Sequence, residues 1–183
     1  MMESVELEPV ILKHEEAEIL EEEEEKDMGS VNHSIAQARI TTLLGSDERF
    51  EVMIELSLDA SQIDLSQFGL KTKDELVPDI AVYTDYPPQP EPLDDILIVS
   101  QMPTLVIEIL SPKQRISEIF AKFKAYFALG VQSCWLVVPS MEIIDIYSQS
   151  KQHQTFTMKD SEMIDEVMDI RLPIQKIFRK RGR

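Results

Sequence analysis

The segment TLVIEIL, Thr104 to Leu110, constrains the fold more than any other stretch of the chain. It places apolar side chains on both sides of a single acid with no alternation, the composition of a strand whose two sheet faces are both covered. An amphipathic segment follows, roughly Gln114 to Leu129, with Ile116, Ile119, Phe120, Phe123 and Phe127 on one stripe and Gly130 as its stop. SCWLVVP then reads as a second apolar strand and EIIDIYS as the next one. Strand, helix, strand is a βαβ unit, and such crossovers are right-handed in nearly all cases. The spacing therefore predicts Thr104–Leu110 and Ser133–Val138 as adjacent parallel strands, with Phe120 and Phe123 nearly buried between helix and sheet.

Within that strand stands Glu108. A lone ionised carboxylate there costs several kcal/mol unless it is paired or holds a cation. Asp79, in LVPDIAVY, is a second acid at the start of an apolar strand, 29 residues upstream. Two carboxylates converging from neighbouring strands form an oxygen-rich site suited to Mg²⁺ or Mn²⁺. The crossover helix adds Lys122 and Lys124 on opposite flanks of its apolar stripe. A lysine there can steady an attacking water and the charge growing on a phosphate, while a metal polarises the phosphodiester. Each residue also has a plainer explanation. Asp79 after proline suits an ordinary turn, Glu108 suits a structural ion pair with a helix lysine, and Lys122 lies four residues after Glu118. His33, near the start of the first helix, reads as a cap or surface residue.

Around this unit the remaining elements fall into order. SVNHSIAQARITTLL approximates helical spacing at Val31, Ile35, Ala38 and Leu43, with Ser30 or Asn32 as cap and Gly45 as stop. RFEVMIELSL alternates with Phe50, Val52, Ile54, Leu56 and Leu58 on one face, predicting one half-buried strand. YPPQPEPLDD holds four prolines in six residues and is a loop.

Charge divides the chain more sharply than the net value of −16 suggests. Residues 1–27 hold 12 acids against Lys13 and Lys26, including the run Glu21 to Glu25, and read as a flexible, solvated arm. Residues 28–178 form one domain, and 179–183 are a basic tail. A body this acidic is not an electropositive DNA clamp, because tight sequence-independent binding needs a basic face. Cys134 is the single cysteine, so no internal disulfide forms and a reducing cytoplasm is the expected setting. No apolar run reaches the ~18–20 residues of a membrane span. There is no Cys/His zinc spacing, no phosphate-cradling glycine loop and no nucleophile elbow.

The Pro78-Asp79 pair followed by a strand carrying Glu108 resembles the PD-(D/E)xK nuclease superfamily. More narrowly, PDIAVY, TLVIEILSP, KFKAYFALGV and CWLVVP resemble the Uma-type restriction-endonuclease domains of cyanobacteria. The resemblance runs from about Ser30 to Phe178, closing with RLPIQKIF. It implies an α-β-β-β-α-β restriction-endonuclease-like core with a central mixed sheet flanked by helices, and metal-dependent hydrolysis of DNA with Asp79 and Glu108 as metal ligands. The superfamily lysine stands two residues after the strand acid, where this chain has Leu110. In Uma-type domains the lysine lies on the helix four residues before a tyrosine, which implies Lys122 ahead of Tyr126. Cutting both strands of a duplex needs two active sites, so a homodimer is expected, with the edge around CWLVVP and EIIDIYS as its contact. The competing expectation is a catalytically silent nuclease-like domain that binds nucleic acid or protein.

Overall fold

The computed structural model describes residues 29–149 and 153–178. The acidic arm and the basic tail lie outside the described residues. The chain runs α1 (Val31–Gly45), β1 (Glu51–Ile54), β2 (Leu58–Asp59), a 3₁₀ turn (Leu65–Phe68), β3 (Glu75–Leu76), β4 (Ile80–Tyr83) and β5 (Leu105–Ile109). It continues with α2 (Ile116–Ala128), β6 (Ser133–Val138), β7 (Ile143–Ser148), β8 (His153–Thr157), β9 (Met163–Asp165), β10 (Ile170–Leu172) and α3 (Ile174–Ile177).

Six strands form a mixed sheet in the order β1-β4-β5-β6-β7-β8. Only β5 and β6 pair in parallel, from Leu105 opposite Ser133 to Ile109 opposite Val137, and the βαβ expectation holds. All five residues of β5 and all six of β6 are buried. Period two then divides their side chains between two cores. Leu105, Ile107, Ile109, Trp135 and Val137 pack with α1, α3 and β10. Val106, Cys134, Leu136 and Val138 pack with Ile119, Phe123 and Tyr126 of α2. Phe123 is buried, whereas Phe120 is only partly so: it meets Phe123 and Tyr147 edge-on at the rim of that core.

Besides the exposure of Phe120, three expectations need correction. The single strand Phe50–Leu58 is broken, because Glu55 takes a left-handed φ of 51°. Phe50 and Val52 pack on the α1 side, Leu56 and Leu58 pack on the α2 side, and Ile54 is exposed. On α1 the buried face is His33, Ala36, Ile40 and Leu44, and Val31 points to solvent. The proposed dimer edge is not an edge. β6 lies inside the sheet with Trp135 fully enclosed, β7 is interior too, and β1 and β8 are the outer strands.

Candidate active site

The antiparallel register of β4 and β5 sets Ile80 opposite Ile107. One step further out, Asp79 comes to the level of Glu108. In β5, Val106 and Glu108 share the face toward α2, which is why the acid meets a helix rather than the α1 core. Two turns of α2 present Lys122 and Tyr126, four residues apart and so stacked on one face. Lys122 Nζ lies 3.0 Å from Glu108 Oε2 and 3.2 Å from Oε1. It also donates to the Val77 carbonyl at 3.2 Å, bridging β5 to the backbone just before Asp79. The Tyr126 hydroxyl donates to Glu108 Oε1 at 2.9 Å. Lys124 is exposed, so of the two lysines left open by sequence the structure brings Lys122 to the acid.

Burial pushes the Glu108 carboxyl up to about 7; Lys122 opposes this and the neighbouring Asp79 charge adds to it. That electrostatic coupling and the shared lining place both carboxylates at one cleft of about 440 Å³. Its walls are polar: His33, Ser34 and Gln37 from α1, Glu55 at the β1 kink, and Ser111 and Gln114 from the β5–α2 loop.

Asp79 is held on every side. Its Oδ2 accepts from the Ile109 amide at 2.5 Å, and its Oδ1 lies 3.2 Å from His33 Nε2. Its carbonyl accepts from Gln37 Nε2 at 3.0 Å and from the Glu55 amide at 3.3 Å. His33 is buried, not a surface or cap residue. Its hydrogen bond with Asp79 raises its pKa against the opposing effect of burial, and the Asp79, Glu55 and Glu108 charges add to the rise. The cap is Ser30, whose Oγ accepts from the His33 amide. Sequence reading took His33 for a cap or surface residue and did not single out Gln37; their separation of four residues on one helix face was the available signal.

Among the described residues no group of three or more His, Cys, Asp and Glu is arranged to hold a metal. Two carboxylates at a polar cleft nevertheless fit Mg²⁺ chemistry, which uses one or two carboxylates and completes its shell with water and phosphate oxygens. Glu108 is already engaged by Lys122 and Tyr126, so a cation would share that carboxylate with the ammonium.

Residues 12–175 match the family model Uma2, described as "Putative restriction endonuclease". The match begins within the acidic segment. A solved structure from Anabaena variabilis, described as a "putative nuclease belonging to DUF820", is 23% identical. It superposes with a TM-score of 0.65 over 84% of this chain and 83% of that one, and this likeness shows a shared fold. No curated protein matches.

Proposed function

We propose, from the premise that the chain belongs to the Uma2 family, that it is a metal-dependent endonuclease hydrolysing phosphodiester bonds in DNA. The observation that carries this reading is the convergence of Asp79, Glu108 and Lys122 on one polar cleft. Asp79 and Glu108 are the residues that would hold Mg²⁺ or Mn²⁺. Such a cation, when bound, polarises the phosphodiester and lowers the pKa of a water. The chain's own contribution is placement. Lys122 is fixed by the Val77 carbonyl and Glu108, so its ammonium needs no reorganisation to meet a phosphate oxygen. Tyr126 steadies the ionised form of Glu108, and the Ile109 amide fixes the Asp79 carboxylate.

The test is nicking of supercoiled plasmid with Mg²⁺ or Mn²⁺. Wild type is expected to nick slowly, Glu108→Ala and Asp79→Ala to lose the activity, and Lys124→Ala to keep it. The second reading, a silent domain that binds nucleic acid or protein, draws on the pairing of Glu108 with Lys122 and Tyr126, which satisfies that acid without a metal. It becomes the better account if wild type binds Mn²⁺ yet leaves plasmid and single-stranded DNA intact. A homodimer supplying two such clefts is part of the proposal, and light scattering on the full chain checks it.

A further inference from the structure

The first helix lines the cleft with three side chains that the proposed chemistry does not use, His33, Ser34 and Gln37, and two of them bind another element. His33 and Gln37 stand one turn apart on α1, and both reach the same residue of another element. His33 Nε2 meets Asp79 Oδ1 at 3.2 Å, and Gln37 Nε2 meets the Asp79 carbonyl at 3.0 Å. One grips the side chain and the other the backbone. His33 is buried at 7% relative exposure and lines the same cleft, while the Asp79 side chain keeps 22% and its carboxylate remains open to that cleft.

Asp79 needs such a hold. It precedes β4, follows Pro78, and lies just beyond the last paired residue, Ile80, where the ladder no longer fixes the backbone. Its carbonyl would otherwise accept only from the Glu55 amide at 3.3 Å, at the left-handed kink. The helix itself is anchored independently. Ser30 caps its first turn, and Ala36, Ile40 and Leu44 are buried in the core beside β5. A rigid element therefore presents two further donors to a residue whose Oδ2 the Ile109 amide already holds, fixing its other carboxylate oxygen and its carbonyl, the arrangement by which an outer layer of hydrogen bonds orients a ligand.

We propose that His33 and Gln37 are positioning residues that hold Asp79 in its cation-binding orientation and so set the affinity of the cleft for a divalent cation; this rests on reading Asp79 and Glu108 as the cation's ligands. The pair acts through Asp79 and not by contact with the ion.

Calorimetric titration of the full chain with MnCl₂, alongside thermal unfolding, tests this. His33→Leu fills the buried volume without a donor, and it is expected to keep its unfolding midpoint while weakening Mn²⁺ by about 10-fold or more. His33→Gln carries an amide to the place of Nε2 and is expected to stay within about 3-fold of wild type, and Gln37→Met to lose about 3-fold. Unchanged affinity in both His33→Leu and Gln37→Met overturns the proposal. So does a His33→Gln protein as weak as His33→Leu, since the imidazole would then be needed as itself. If His33→Leu fails to fold, the comparison passes to His33→Gln against His33→Asn, whose amide falls short of Asp79; equal affinities there also overturn it. Asp79→Ala separates the two layers of argument. Unchanged Mn²⁺ affinity in that variant removes the site reading, whereas its loss, with the α1 variants unaffected, removes only the positioning role.

Discussion

Glu108 and Asp165 are both carboxylates at 1% exposure, on opposite sides of the same sheet, and their surroundings differ in kind. Asp165 accepts from the Ser133 hydroxyl at 2.6 Å and the Trp135 indole at 2.7 Å on one oxygen, and from the Val167 and Met168 amides at 3.0 and 3.1 Å on the other. Its donors are neutral and belong to the fold, tying β6 to the turn after β9. Glu108 accepts from a lysine whose side chain is 25% exposed, stands near a second carboxylate, and opens onto a cleft. Burial of an acid therefore does not mark a site. A cationic partner, a like-charged neighbour and access from solvent together do.

The largest difference between the two should be in stability. Asp165→Ala strips the acceptor from two buried side chains and two amides, and should lower the unfolding free energy by on the order of 4 kcal/mol in urea titrations. Glu108→Gln keeps the shape and removes a charge that burial disfavours, so it should fold at least as well as wild type above neutral pH. An Asp165→Ala protein that unfolds no more easily than wild type would make the contrast meaningless.

Activity should separate them the other way. Lys122→Ala is expected to lower plasmid nicking by about 10²–10³-fold, the effect of removing one preplaced charge stabiliser. Conservative changes around Asp165, such as Ser133→Ala, should leave nicking per folded molecule unaltered. Equal losses in the two regions would mean that the cleft is sensitive only through the fold.

Stability should also respond to pH through the cleft. Glu108 holds its proton up to about 7 in the folded chain, against an ordinary 4.5. Below 4.5 both states are protonated and nothing is lost. Between 4.5 and about 7 the unfolded chain releases a proton that the folded one keeps, so stability falls as pH rises, by on the order of 3 kcal/mol in total. His33 acts in the same direction. Its raised pKa gives a contribution that is complete below 6.5 and lost as pH climbs through the higher folded value. Denaturation in metal-free buffer from pH 5 to 8 measures the slope, and Glu108→Gln should flatten it.

The comparison also explains what was legible from sequence. Glu108 stood out because an apolar strand surrounds it, whereas the apolar stripe of α2 left Lys122 and Lys124 both open on its flanks, and the resemblance, with Lys122 four residues before Tyr126, was what singled out Lys122. Asp165 gave no such contrast: β9 and β10 are three residues each, too short for a period to show, and its partners Ser133 and Trp135 are 32 and 30 residues away. His33 was hidden for a related reason. Apolar residues spread around α1, so the stripe at Val31, Ile35, Ala38 and Leu43 looked as good as the buried one at Ala36, Ile40 and Leu44. The break in the strand after Ile54 depends on the left-handed backbone of a glutamate, a conformation no residue pattern announces.

The smallest effect expected is the most specific. Tyr126 is fully buried, and burial together with the Glu108 charge pushes its phenol pKa well up, so its hydroxyl remains a donor across the accessible pH range. It gives Glu108 Oε1 a hydrogen bond at 2.9 Å, shorter than the 3.2 Å from Lys122 to the same oxygen. That bond favours the ionised acid, so Tyr126→Phe should matter only while Glu108 carries its charge. At pH 8 the variant should be less stable than wild type by about 1–2 kcal/mol, the worth of a hydrogen bond to a charged group, and at pH 5 by much less. The stability slope between those values should therefore steepen in Tyr126→Phe, and that added steepness should vanish when Glu108→Gln is added. A loss that is equal at both pH values would show that Glu108 does not change its charge in this range, and the distinction between the two buried carboxylates would then rest on the cleft alone.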